Sequence, residues 1–177
     1  MRSEGGLRPD FRVESLRARH DRESFTCGVA ELDRYLKAQA SQHIRRHASA
    51  AFVITADGRS VAGFYTLSAH VIKLADLPPA MAKKLARYPN VPATLLGRLA
   101  VSEHFRGQGV GQLLLTNALI RAWRATGEVA SSAVVVDARD ESARSFYLHH
   151  EFTALPAQPN RLVYLMASVK TLSGGSA

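Results

Sequence analysis

Residues 104–115, HFRGQGVGQLLL, set Gly107, Gly109 and Gly111 at alternate positions behind Arg106 and run straight into leucines. Glycine beside a helix is costly unless the backbone has to bend there or another molecule has to come close. The preceding 94-TLLGRLAV-101 reads as a strand, and a helix follows from about Val110 to Thr126. Strand, glycine loop and helix together make an anion site. The first helical N–H groups lack intrahelical partners, and the macrodipole adds about half a positive charge there. Arg106 adds a fixed cation, and a pyrophosphate would satisfy all of these groups at once. The loop is not a Walker A, since no Lys-Ser or Lys-Thr follows the last glycine, and its G-x-G-x-G spacing is not the dinucleotide fingerprint.

Upstream, Phe11 to Leu16 suggests a first strand, and 28-GVAELDRYLKAQASQHIRRH-47 a long amphipathic helix with Leu32, Tyr35 and Leu36 on one face and a basic end at Arg45 and Arg46. The stretches 51-AFVIT-55 and 61-VAGFYTLS-68 flank Asp57-Gly58, a hairpin signal. Pro78 and Pro79 open a short basic helix through Arg87, which Pro89 and Pro92 close. Downstream, 133-AVVVD-137 reads as a buried strand, 140-DESARSFYLHH-150 as a helix with an acidic first turn, and 162-LVYLMA-167 as a last strand. The alternation implies an α/β fold: a mixed sheet with helices on its faces. Residues 1–10 and 169–177 read as a disordered N-terminus and a flexible tail around one domain at 11–168.

The 177 residues suffice for a substantial core, and no apolar run approaches the roughly 18 residues of a membrane helix. The first ten residues have no apolar segment of the secretory kind, and the one cysteine, Cys27, has no partner, so a cytoplasmic protein is expected. No Cys/His cluster has metal-ligand spacing. The 23 Lys+Arg against 15 Asp+Glu give a formal charge of +8, which favours a polyanionic partner, an acidic protein or a phosphate-rich cofactor.

The stretch 98-RLAVSEHFRGQGVGQLLL-115 resembles motif A of the GNAT N-acetyltransferases, with Arg106, Gly109 and Gly111 at its signature positions. The helix 140-DESARSFYLHHEF-152 is similar to motif B, with Glu151 where the family usually has glycine. The blocks 25-FTCGVAELDRYL-36, 63-GFYTLSA-69, 74-LADLPP-79, 87-RYP-89 and 96-LGRLAV-101 look like the branch formed by GNAT toxins of bacterial type II toxin–antitoxin pairs. The resemblance implies a GNAT fold whose mostly antiparallel sheet splays at its centre. It implies acetyl-CoA as co-substrate, with the pyrophosphate on the loop amides of Arg106, Gly107, Gln108, Gly109, Val110 and Gly111, and the pantetheine arm along Leu99, Ala100 and Val101.

Tyr147 then becomes the candidate acid, because the resemblance sets its hydroxyl beside the departing sulfur and a phenol of ordinary pKa about 10 is protonated at neutral pH. Relatives often carry a carboxylate on the strand before motif A. Here that strand carries Arg98 and no acid, and Glu103 reads as a solvated loop charge. With no base in view, an α-amine of pKa about 8 is a better acceptor than a lysine of about 10.4. The branch acetylates the α-amine of aminoacyl-tRNA, which blocks translation, and pairs with a ribbon-helix-helix antitoxin through which operator DNA is bound; it is commonly dimeric. Arg98, Arg45 and Arg46, with Lys83, Lys84 and Arg87, are the candidate tRNA contacts. The alternative is an N-acetyltransferase for a small amine or a protein N-terminus. Cys27 and Trp123 read as packing residues, and His149 and His150 follow Tyr147 too closely on the helix to share its face and are not expected to be catalytic, although His150, three residues on, is near enough to approach it.

Overall fold

The computed structural model describes residues 9–173. Seven strands form one sheet in the order β1-β2-β3-β4-β5-β7-β6. They are β1 (Arg12–Ser15), β2 (Ala50–Thr55), β3 (Gly63–Lys73), β4 (Asn90–Val101), β5 (Ala133–Asp137), β6 (Thr153–Ala154) and β7 (Arg161–Leu165). Every neighbouring pair is antiparallel except β4 and β5. Helices α1 (residues 30–45), α2 (Pro79–Ala82), α3 (Val110–Ala125), α4 (Glu141–His149) and α5 (Met166–Ser173) complete the order. No helix among the described residues is long and apolar enough to cross a membrane.

Side chains alternate across the sheet with the period of two that a strand imposes. On β3, Phe64 packs with Tyr35 and Leu36 of α1, whereas its neighbour Tyr65 packs with Leu114, Ala118 and Ala122 of α3 and Val169 of α5. Helices therefore cover both faces. Gly63 marks the tightest approach: a Cβ there would lie 2.7 Å from both the Ala100 carbonyl oxygen and Leu114 Cδ1.

The centre of the sheet is split by one residue. Thr66 pairs with Arg98 and Leu67 with Leu96, so Gly97 is the extra residue of a bulge in β4. On the other side β4 pairs with β5 only from Ala93 to Leu96. Past the bulge the β5-facing backbone of residues 97–101 has no strand partner, and the two strands part. That gap is the splay the resemblance implied.

Several expectations change. The helix over residues 28–47 begins at Ala30 and carries a π-helical turn, Tyr35–Gln39, between α-helical turns. The basic helix through Arg87 shrinks to Pro79–Ala82, since a short segment propagates poorly and the chain must extend ahead of Pro89. Strand β4 starts at Asn90 and includes Pro92, which is tolerated because pairing with β5 begins only at Ala93, where a backbone donor is first needed. The last strand ends at Leu165. Residues 166–173 are helical, so the reading of a flexible tail from residue 169 is corrected: Val169 is fully buried against the core. Residues 1–8 and 174–177 lie outside the described residues.

Candidate active site

The glycine loop has the geometry its sequence called for. Gly107 and Gly109 adopt φ of 75° and 77°, the left-handed region that disfavours a Cβ. A Cβ built on either would meet nothing within 4 Å. These glycines thus serve backbone shape and an open approach rather than internal packing. Gly109 caps α3, and the first intrahelical bond runs from the Leu113 N–H to the Gly109 carbonyl at 3.1 Å. The N–H groups of Val110, Gly111 and Gln112 are left pointing outward. Val110 itself is buried in the core, so only its backbone is available.

Beside the loop lies a cleft of about 300 Å³, lined among others by Leu99, Ala100, Val101, Gly111, Phe146 and Tyr147. A second lobe of about 340 Å³ shares Leu32, Leu99, Arg139, Ala143 and Tyr147 with it and continues to Glu31, Arg98 and Asp137. The parted strands make the floor of both. The first lobe, apolar and continuous with a helix N-terminus, fits a pantetheine arm ending in a pyrophosphate. The second opens toward charged side chains.

Tyr147 stands between them. It is buried to 7% exposure, packed against Phe146 and Phe152 with ring centroids 5.3 Å away in each case. Its hydroxyl has no hydrogen-bond partner among the described residues, and burial pushes the phenol above its ordinary value, so it stays protonated. The turn after α4 fixes this position. Phe152 N–H donates to the Tyr147 carbonyl at 3.0 Å and Glu151 N–H to the Leu148 carbonyl at 3.1 Å, the paired bonds of a Schellman cap. Glu151 sits at φ 69°, the position for which glycine is preferred. The turn is kept despite the substitution.

The other candidate residues divide between the cleft, the outer surface and the core. The Arg106 guanidinium donates to the Cys27 carbonyl at 2.7 Å and lies 3.9 Å from Glu103. It is a strut from the loop to the chain leading into α1, and it also lines the first lobe of the cleft. Arg98 lines the second lobe with its guanidinium 3.6 Å from the centroid of the Tyr35 ring. Tyr35 comes from the π-helical turn, and its hydroxyl hydrogen-bonds His43 Nδ1 and Ser49 Oγ. Arg45, Arg46, Lys83 and Lys84 are exposed and line neither lobe, and Arg87 lines a separate hollow beside Tyr88. Cys27 is buried with its thiol pushed up to about 11, mainly by desolvation, as suits a packing residue. Trp123 packs partly buried against the core, and neither His149 nor His150 lines the cleft.

The acids of the cleft lie on other elements. The sequence showed none on the strand before the loop, yet Glu31, Asp137 and Asp140 all line the cleft. They come from α1, the end of β5 and the cap of α4, elements that only the folded topology brings together.

The acetyltransferase (GNAT) domain family matches residues 47–154, which span β2 through β6 and carry both the loop and Tyr147. The chain belongs to the GNAT acetyltransferases. At 36% identity it is similar to the tRNA-acetylating toxin of Mycobacterium tuberculosis, over 87% of its own length and 91% of that protein's. Among solved structures, AtaT complexed with acetyl-methionyl-tRNAfMet superposes with a TM-score of 0.85 at 30% identity, covering 93% of this chain and 99% of that one. A Tyr-to-Phe mutant of AtaT bound to the C-terminus of the antitoxin AtaR and acetyl-CoA gives 0.80 at 26% identity, covering 93% and 99%.

Proposed function

We propose that this GNAT acetyltransferase is the toxin of a toxin–antitoxin pair and moves acetyl from acetyl-CoA to the α-amine of aminoacyl-tRNA in the cytoplasm, where a cognate antitoxin neutralises it. The observation that carries this reading is the partnerless hydroxyl of Tyr147 at the shared floor of two lobes, one running to the glycine loop and the other opening on Arg98. A thioester laid along Leu99–Val101 presents its sulfur to the phenol and its carbonyl to an amine entering from the second lobe.

The loop amides from Gly107 to Gly111 hold the pyrophosphate, and unpaired backbone on β4 faces the carbonyl oxygen as charge develops there. The amine attacks, the C–N bond forms, the nitrogen releases one proton by way of solvent and the C–S bond breaks. Tyr147 donates its proton to the departing thiolate, and the phenolate later regains one from water. The desolvation that raises the phenol raises the thiolate's proton affinity as well, so the transfer remains matched. No metal enters this chemistry, which needs only a donor, an oxyanion contact and an oriented amine. Arg98, which lines the second lobe, would meet the 3′ end of the tRNA, and Arg45 and Arg46 would touch its backbone farther out. The formal charge of +8 suits a nucleic-acid substrate.

The decisive experiment gives purified protein labelled acetyl-CoA with a mixture of aminoacyl-tRNAs, or with lysine peptides. Label should enter the aminoacyl-tRNA and be released with the N-acetyl amino acid on mild alkaline hydrolysis. Label in the peptides alone would refute the proposal.

A further inference from the structure

The carboxylates around the cleft are not equivalent. Asp137 is held by Arg161, whose Nε and Nη2 donate to its two oxygens at 2.7 and 2.9 Å. Asp140 caps α4, its Oδ1 accepting the Ala143 N–H at 2.8 Å. The Glu31 carboxylate has no hydrogen bond or ion pair among the described residues; the residue is exposed and lines the lobe that also holds Arg98, Leu99 and Tyr147. It is the carboxylate of the cleft still free to act.

Its place is fixed from two sides. Asp33 Oδ1 accepts the Cys27 N–H at 2.9 Å, which draws the chain before α1 onto the helix's first turn. Arg106, from the glycine loop, grips the Cys27 carbonyl at 2.7 Å, and Gly28 makes the intervening bend at φ 81°. The loop that would hold the acetyl donor therefore also anchors the turn that carries Glu31. Facing Glu31 across the lobe are Arg98 of β4, Asp137 of β5, Arg139 of the following loop and Tyr147 of α4; Asp33 and Arg34 neighbour it on its own helix. Arg98 is directed over the Tyr35 ring and Asp137 is neutralised by Arg161.

Resting on the acetyl-transfer reading above, we propose that Glu31 is a catalytic residue, the general base that takes the proton from the acceptor amine as it attacks. A neutral amine becomes acidic once its nitrogen bonds to the acetyl carbon, and a carboxylate within reach of it removes that proton before the intermediate can revert. The accounting is complete without another reactant. The nitrogen forms the C–N bond and gives one proton to Glu31, the C–S bond breaks, and the thiolate takes a proton from Tyr147. Glu31 then returns its proton to water and the phenolate recovers one, so that one hydrogen has moved from nitrogen to sulfur. Tyr147 and Glu31 thereby divide the work between the two lobes.

The test measures acetyl transfer to aminoacyl-tRNA by wild type, Glu31→Gln and Glu31→Ala, with KM for acetyl-CoA followed separately and the Ala variant assayed with and without added formate. Glu31→Gln should lower kcat by about 10²-fold, the range of a lost general base, with KM for acetyl-CoA unchanged. Formate should restore part of the Glu31→Ala rate and none to Glu31→Gln, where the amide fills the space. A merely structural residue would not respond to formate. Wild-type kcat in Glu31→Gln, or a slow Ala variant that formate leaves slow, would overturn the assignment. Wild-type protein inert toward aminoacyl-tRNA would instead strike the function proposed above, so the two failures are distinguishable.

Discussion

The two lobes of the cleft are built from different materials. The donor side is backbone: left-handed glycines, free helix N–H groups and an unpaired strand segment. The acceptor side is side chains on separate elements: Glu31, Arg98, Arg139 and Tyr147. A backbone site tolerates no change of shape but many changes of flanking residue, whereas a side-chain site can be retuned one residue at a time. The common donor and the variable acceptor of an acetyltransferase map naturally onto that division.

The sharpest test acts where the lobes meet. Tyr147→Phe keeps the ring between Phe146 and Phe152 and removes only the hydroxyl. It should lower kcat by about 10²- to 10⁴-fold with KM values for both substrates nearly unchanged, as expected for a group used in the transition state. In cells, growth arrest by the wild type should vanish with this change. Arrest that survived it would move the acid elsewhere and leave the two-lobe description without its junction.

Glycines then separate the donor lobe from the scaffold. Gly109→Ala meets open space, so it should cost about 1 kcal/mol of stability through its positive φ while weakening acetyl-CoA about tenfold, read as KM. Gly63→Ala should behave in the opposite way. Its Cβ would strike a backbone oxygen and Leu114 at 2.7 Å, costing about 1–3 kcal/mol in chemical denaturation with no specific loss of acetyl-CoA binding in the protein that remains folded. Equal profiles for the two variants would show that the loop is held open by packing after all.

On the acceptor side, Arg98→Lys keeps the charge and loses the flat face that lies 3.6 Å from the Tyr35 centroid. Loss of that internal stacking should cost up to about 1 kcal/mol of stability, and the side chain released from Tyr35 should raise KM for aminoacyl-tRNA by a few-fold at most, while KM for acetyl-CoA stays put. A shift in the acetyl-CoA value instead would place Arg98 in the donor lobe.

The same division explains what the sequence disclosed. Donor-side residues are contiguous, from Leu99 to Gly111, and glycines advertise backbone demands directly, so the loop and helix α3 are legible from one stretch. Tyr147 became legible only through its resemblance to a known motif. Glu31 stayed hidden because nothing local distinguishes it from an ordinary first-turn carboxylate; it joins the site through the Arg106 strut and the gap opened at Gly97. The π-helical turn that presents Tyr35 to Arg98 also left no periodic trace. Helix α5 was obscured because Met166 and Ala167 continue the apolar run of β7, and the burial of Val169 is decided by contacts with the distant core.

Glu151 offers the smallest effect and the finest reading of how Tyr147 is held. Its φ of 69° costs an L-residue about 1–2 kcal/mol, whereas glycine accepts it freely but loses roughly 0.5–1 kcal/mol more chain entropy on folding. Glu151→Gly should therefore stabilise the protein by about 0.5 kcal/mol, raising Tm by about 1–2 °C. Because the cap bonds from Glu151 and Phe152 are made by backbone N–H groups, kcat should not change. A lower Tm would mean that the Glu151 side chain contributes more than its backbone strain costs. A changed kcat at unchanged Tm would mean instead that the turn sets the angle of Tyr147 finely enough for strain at residue 151 to reach the reacting sulfur.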